Sequence, residues 1–125
     1  MNPKTRFALL FCSLALAGSA AEAQQALPAG VTQAMITKGK EVYSKAGLCY
    51  ACHGPEAKGL VGPNLTDDVW LHSKGGYEEI VQSVTAGNTK EQSKSGVPMP
   101  AKGGASISED DVKAVSAYVW SLSHK

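Results

Sequence analysis

The chain has 125 residues, is 43% hydrophobic, and carries 12 basic against 11 acidic side chains. That length fits one small domain and leaves little room for a second. The near-neutral charge, with lysines spread along the whole chain, argues against a nucleic-acid binder, which needs a basic face.

Residues 1–23 have the layout of a secretory signal peptide. Basic Lys4 and Arg6 precede an apolar stretch at 7–17, and the segment ends in Ala-Glu-Ala, which is typical of a cleavage site. The apolar stretch has 11 residues, fewer than the ~20 that span a bilayer. We therefore expect cleavage and export to the periplasm, and not a retained membrane anchor.

The predicted mature domain, residues 24–125, has no membrane span and keeps two of the three cysteines. Cys12 lies in the apolar stretch and would leave with the signal. Cys49 and Cys52 then meet an oxidising environment, where a disulfide is the default expectation. A domain this small buries a modest fraction of its surface, so a large apolar cofactor would help to stabilise it.

The first predicted element is a helix that begins near Thr32, after a loose arm at 24–31. Thr32 suits the N-cap and Gly47 suits the end of this helix. Apolar or small residues recur along it at helical spacing. They are Met35, Gly39, Val42, Tyr43 and Ala46.

Two further helices are predicted, each preceded by a long loop rich in Gly and Pro, at 53–66 and at 87–107. The second helix lies between Gly75-Gly76 and Gly87, and its apolar residues are Tyr77, Ile80, Val81 and Val84. The last helix opens with Ser108 and three acidic residues. Its apolar stripe is Val112, Val115, Tyr118, Val119 and Leu122. Because no alternating strand pattern occurs, the predicted fold class is all-α, with about three helices.

The motif Cys49-Tyr-Ala-Cys52-His53 has the C-x-x-C-H pattern of covalent c-type haem attachment. Two thiols at this spacing can reach the two vinyl groups of one porphyrin edge, and the next imidazole can bind the iron. The same cysteines would also suit a thioredoxin-like redox pair or half of a zinc site. The chain lacks the βαβ pattern of the first and suitably spaced further ligands for the second, so haem is preferred.

The second axial position of the iron has four candidates, and Met99 is favoured. Met35 fits the buried stripe of the first helix as core filler, and His124 adjoins a chain end that frays. Met99 stands between two prolines that restrict its backbone, in a loop with no helical face to pack into. His72 stays an alternative that would lower the reduction potential relative to Met, and an open site is the third possibility.

Five motifs follow one another in a characteristic order: Gly39-x-x-x-Tyr43, Cys49-x-x-Cys52-His53-Gly54, Gly62-Pro63-Asn64-Leu65, Met99-Pro-Ala and Tyr118. On these, the stretch from about Gly39 to Leu122 resembles the class I mono-haem cytochrome c family. It is most similar to small bacterial periplasmic cytochromes and to the cytochrome c domains of cbb-type oxidases. The resemblance implies a small cytochrome c fold of helices and two long loops wrapped around one covalently bound haem c.

The resemblance also implies roles for single residues. Gly39 would let the first helix cross the last at close range, with Tyr43 and Tyr118 filling the crossing. Pro63 would turn its carbonyl toward the free nitrogen of His53 and fix the imidazole, a role that suits an iron-bound histidine.

Further residues are implied at the haem itself. Asn64 and Leu65 would pack on the haem rim, and Met99 would be the sixth ligand. The role of Trp70 stays open between donation to a haem propionate and cover of the haem edge. The long segment from Gly87 to Met99 departs from the family pattern and leaves the shape of the ligand loop open.

These residues together predict a one-electron carrier and not an enzyme. With His53 and Met99 on the iron, only outer-sphere transfer between Fe(II) and Fe(III) remains. We expect a monomer that meets redox partner proteins through small, weak interfaces. The donor would be a dehydrogenase or cytochrome complex and the acceptor an oxidase or reductase. Alternatives are a dedicated subunit of a periplasmic dehydrogenase or oxidase complex, a haem protein with an open sixth site, and a small domain with a Cys49–Cys52 disulfide.

Overall fold

The structure is a computed structural model that describes residues 25–125; the predicted signal peptide lies outside the described residues. Four α-helices and one short 3-10 helix make up its regular elements. They are α1 Gln33–Ser44, α2 Tyr50–His53, α3 Tyr77–Ala86, the 3-10 helix Ala101–Gly104 and α4 Glu109–Ser123. The described residues form no strand, so the all-α prediction is confirmed. No helix within 25–125 is long and apolar enough to cross a membrane.

Helix α1 begins as predicted, because the Thr32 hydroxyl accepts a hydrogen bond from the Met35 N–H at 3.2 Å. Its end differs from the prediction. The Gly47 N–H bonds back to the Val42 carbonyl at 2.8 Å, which turns the chain out of the helix after Ser44. The prediction that Ala46 belongs to the buried stripe was therefore wrong, since Ala46 lies beyond the helix and is exposed.

Helices α1 and α4 cross at close range at Gly39. A side-chain carbon at this position would overlap the carbonyl oxygen of Ala114 and would also approach Tyr118. Beside the crossing, the rings of Tyr43 and Tyr118 meet edge to face with centroids 5.5 Å apart. The close crossing and its two aromatic residues are the arrangement that the resemblance implied.

We expect Gly39→Ala to lower the free energy of unfolding by about 3 kcal/mol, at the upper end of the cost of overpacking, because the added methyl meets backbone. Without the crossing, the same change would stabilise a helix by about 1 kcal/mol. Urea denaturation of the haem-loaded protein measures the difference. Lys40→Ala, on the exposed face of the same helix, serves as the control. A Gly39→Ala protein as stable as this control would contradict the close crossing.

Helix α4 opens with a reciprocal cap and packs on two neighbours. Asp111 N–H donates to the Ser108 hydroxyl at 3.1 Å, and Ser108 N–H donates to the Asp111 carboxylate at 3.2 Å. Lys38 on α1 lies 2.9 Å from the same carboxylate; this contact and the cap lower the pKa of Asp111. Because α4 contacts both α1 and α3, it buries a wider face than the predicted stripe, including Trp120.

Helix α3 has the predicted bounds. The Glu79 carboxylate accepts from the N–H groups of Lys74 and Gly76, both at 3.0 Å, which satisfies donors at the helix start. The helix stops at Gly87, whose φ of +74° is one that glycine adopts without strain. The inner face of α3 buries Ile80 and Val84. These two side chains make α3 one wall of a cleft.

Candidate haem-binding site

A cleft with predominantly apolar walls opens among the four α-helices and the two long loops. Ile80 and Val84 of α3 and Val115 and Val119 of α4 supply much of its apolar lining. All five predicted site residues line this one cleft: Cys49, Cys52, His53, Pro63 and Met99. Residues spread over 50 positions in the sequence are thus brought to a single place.

The attachment motif occupies a single helical turn, which was not predicted from the sequence. The chain enters it through Leu48, a non-glycine residue with a φ of +55°, and the His53 N–H bonds to the Cys49 carbonyl at 2.9 Å. Cys49, Cys52 and His53 therefore stand at i, i+3 and i+4, on one face of the turn. Both thiols are free, and burial raises the pKa of Cys49.

His53 is buried and its ring is fixed in one orientation. Nδ1–H donates to the Pro63 carbonyl oxygen at 2.9 Å, which leaves Nε2 with the lone pair. Burial lowers the pKa of this imidazole, against the opposing effect of the Pro63 carbonyl. A neutral imidazole with a free Nε2 is the form that binds a metal.

Two contacts that support His53 were not anticipated. A side-chain carbon at Gly62 would lie 2.7 Å from Cε1 of the His53 ring, so glycine is needed for the loop to lie flat against the imidazole. The Tyr43 hydroxyl donates to the Gly54 carbonyl at 2.6 Å, which fastens the chain after the motif to α1. Gly62 belongs to the Gly62-Pro63-Asn64-Leu65 motif, so the sequence marked this residue, but its contact with the His53 ring was not predicted.

Met99 is half-buried and is held by backbone pairing with Asn88. The Asn88 N–H bonds to the Met99 carbonyl at 2.8 Å, and the Met99 N–H to the Asn88 carbonyl at 3.0 Å. Gly87 makes the approach possible, because a side-chain carbon there would overlap the Met99 carbonyl oxygen. The segment that departs from the family pattern is therefore a loop closed at its base by this bridge.

The other sixth-ligand candidates are placed differently. Met35 packs against the core and does not line the cleft. His124 stacks on Trp120 with ring centroids 4.6 Å apart, and its Nδ1 lies 2.9 Å from the Trp120 carbonyl oxygen. His72 is exposed and lines the cleft. Of the four candidates, Met99 and His72 therefore line the cleft, and Met35 and His124 do not.

Trp70 and the loop after Pro63 form the rest of the rim. Trp70 is half-buried and lines the cleft, and its indole packs on Gly75, where a side-chain carbon would overlap the ring. Asn64 and Leu65 line the cleft as well. The side-chain oxygen Oδ1 of Asn64 also accepts from the Thr66 N–H at 2.8 Å, so this side chain is held by its own loop.

These features fit a flat apolar group anchored by sulfur. The cleft combines apolar walls, two free thiols on one helical turn, a neutral imidazole and a thioether, which are the groups that c-type haem uses. A zinc site is less suited. No cluster of three or more His, Cys, Asp or Glu side chains that could hold a metal ion occurs between residues 25 and 125, whereas structural zinc takes four such ligands.

Comparison with known proteins agrees with this chemistry. The family model described as cytochrome c oxidase, cbb3-type, subunit III matches residues 34–119. The cbb3-type cytochrome c oxidase subunit CcoP of Rubrivivax gelatinosus is 40% identical over 79 residues, which are 62% of this chain and 23% of the relative. CcoP of Rhodobacter capsulatus is 39% identical over 99 residues, or 72% of this chain and 30% of the relative.

A solved structure supports the fold. Cytochrome CL from the methylotrophic bacterium Methylophaga aminisulfidivorans superposes with a TM-score of 0.58 at 22% identity, covering 74% of this chain and 56% of that one. The small cytochrome c fold implied by the resemblance is thus confirmed. The chain spans less than a third of the length of the two curated relatives, at 23% and 30%.

Proposed function

Because the chain belongs to the cytochrome family described as cbb3-type cytochrome c oxidase subunit III, we propose that it is a periplasmic one-electron carrier with a His/Met-ligated haem c. The family assignment establishes a c-type cytochrome domain that binds haem c. The attachment through Cys49 and Cys52 and the ligation by His53 and Met99 are part of the proposal.

One observation carries the proposal. Two free thiols, an imidazole with an unbonded Nε2 and a thioether line one apolar cleft, although they come from the helical turn at 49–53 and from a loop more than 40 residues later. Neither a disulfide, a thioredoxin-like pair nor a zinc site uses all four groups. A disulfide would need only Cys49 and Cys52, and a zinc site would leave Met99 without a role.

The residues of this chain have separate tasks in electron transfer. When bound, haem supplies an iron that alternates between Fe(II) and Fe(III). Pro63 keeps the His53 ring in the tautomer suited to a metal, and Met99 would bind the iron in place of a substrate or a small molecule. The thioether and the apolar walls from α3 and α4 favour the less charged Fe(II) state and raise the reduction potential.

The rim of the cleft suits brief encounters with other redox proteins. Leu48, Val69 and Val97 line the cleft and are 47%, 65% and 51% exposed. Weak electron-transfer complexes bury small areas, and an exposed apolar rim of this kind offers such an area next to the haem. The donor would be a dehydrogenase or cytochrome complex and the acceptor an oxidase or reductase. Export would follow from the predicted signal peptide at 1–23.

A second candidate function is favoured by the names of the relatives. CcoP proteins are subunits of a cbb3-type oxidase, so this chain would be a dedicated subunit of an oxidase complex instead of a diffusing monomer. Size-exclusion chromatography of material from the native source separates the two. A haem-containing protein that elutes at monomer size supports the free carrier, and co-elution with an oxidase supports the subunit.

A reduced-minus-oxidised absorption spectrum tests the proposed site in protein exported from a host that matures c-type cytochromes. We expect sharp reduced bands that do not change when carbon monoxide is added, because His53 and Met99 would both bind the iron and leave it no free position. The oxidised protein should show the weak sulfur-to-iron absorption near the red end of the spectrum. Reduced bands that shift with carbon monoxide would contradict the carrier and support an open-site haem protein.

A further inference from the structure

Asn88 brings a side-chain donor to the sulfur of Met99. Its amide Nδ2 lies 3.8 Å from Met99 Sδ, within reach of a hydrogen bond to a thioether, which is a weak acceptor. Both residues line the cleft. The contact joins positions 11 residues apart, and no sequence motif had marked Asn88.

The backbone makes this contact a fixed feature of the fold. Two hydrogen bonds, of 2.8 and 3.0 Å, pair Asn88 with Met99 in both directions. Gly87, at the end of α3, allows the segments that contain Asn88 and Met99 to approach each other. Because opposed residues of such a pair hold their side chains close together, the backbone places the Asn88 amide beside the sulfur.

The chemical character of Asn88 is also informative. It is half-buried at a cleft whose walls are mostly apolar, where an amide without a partner costs free energy. Among the described residues, Met99 Sδ is the partner that the structure gives to its Nδ2. A leucine of similar size would pack on such walls at no such cost, so the amide is suited to the sulfur and not to simple filling of space.

We propose that Asn88 is a positioning residue for the Met99 thioether and raises the reduction potential of the haem. Its N–H would occupy one sulfur lone pair and leave the other for the iron. By drawing electron density from the sulfur, the same hydrogen bond would weaken donation to electron-poor Fe(III) more than donation to Fe(II). This inference rests on the proposed ligation by Met99.

The test compares Asn88→Leu and Asn88→Ala, which lack the donor, with the wild-type holoprotein. At a fixed external potential we expect the Fe(II)/Fe(III) ratio of both variants to fall about three- to tenfold, where tenfold corresponds to about 59 mV for one electron. Asn88→Ala keeps the backbone bridge without added bulk and replaces the leucine variant if that protein does not accumulate. Asn88→Gln, which keeps an amide, should recover part of the loss.

Two controls separate this role from a structural one. Gln82→Leu makes the same amide-to-leucine change on the exposed face of α3, outside the cleft, and should keep the wild-type potential. Proton spectra of the oxidised proteins should give one set of Met99 and haem methyl signals in the wild type, and altered or multiple sets in the two variants that lack the donor. Those changes would not follow from a loss of stability alone.

Failure of this inference can be told apart from failure of the proposed function. A wild-type protein with the sulfur-to-iron absorption, together with Asn88→Leu and Asn88→Ala proteins of unchanged potential and unchanged methyl signals, would overturn the role of Asn88 alone. A wild-type protein without that absorption would overturn Met99 ligation, and the role of Asn88 with it.

Discussion

Replacing Cys49 and Cys52 together by serine is expected to leave a polypeptide with no covalently attached haem. Thioether bonds need the two sulfurs, and a serine hydroxyl does not replace a thiol in this bond. Each single variant keeps one sulfur and should give less holoprotein than the wild type. Haem retained on the polypeptide in a denaturing gel, with the intact mass of the purified chain, measures the result.

The chain offers a matched control in its third cysteine. Cys12 lies in the predicted signal peptide, so Cys12→Ser should give the wild-type amount of covalent haem if export is unaffected. A Cys49→Ser/Cys52→Ser protein with as much covalent haem as this control would rule out the assigned attachment site. A mature chain that begins at Gln24 would, in the same mass measurement, support the predicted cleavage.

The double variant should lose stability as well as covalent haem. The cleft walls include Ile80, Val84, Val115 and Val119, which belong to the same core that holds α3 on α4. A domain of this size has little apolar surface to spare. Without a bound group against these walls, burial between the two helices is incomplete, so haem attachment and folding are expected to depend on each other.

Features set by neighbouring residues could be predicted from the sequence. The caps at Thr32 and Ser108 and the end of α3 at Gly87 depend on side chains and glycines within a few positions. The Cys49–His53 motif could also be located, because its chemistry requires a fixed local spacing. Pro63 could be placed beside His53 only through the family resemblance, since the two residues are ten positions apart across an irregular loop.

Features set by packing could not be predicted in the same way. Ala46 is exposed because the chain leaves α1 after Ser44, where backbone bonds to the Val42 carbonyl end the helix. Trp120 is buried because α4 has a neighbour on each of two sides. The pairing of Asn88 with Met99 depends on how a ten-residue loop closes, and no pattern of hydrophobic spacing encodes that closure.

Replacement of the thioether is expected to convert the carrier into a ligand-binding haem protein. In Met99→Ala, covalent haem should remain, but the sulfur-to-iron absorption should disappear and carbon monoxide should shift the reduced bands. The reduction potential should fall by about 0.1 V or more, within the span of about 0.8 V that axial ligands cover, because the thioether no longer favours Fe(II). Absorption spectra and a redox titration measure these effects.

Two further variants decide what fills the vacated position. Met35→Ala removes a methionine that packs on the core outside the cleft. This variant should be less stable, but it should keep the sulfur-to-iron absorption and reduced bands that carbon monoxide does not shift. His72 lines the cleft, so it is the residue that would replace Met99 on the iron. A Met99→Ala protein that still ignores carbon monoxide, but binds it once His72→Ala is added, would show such a replacement. Survival of the sulfur-to-iron absorption in Met99→Ala would instead remove Met99 as the ligand.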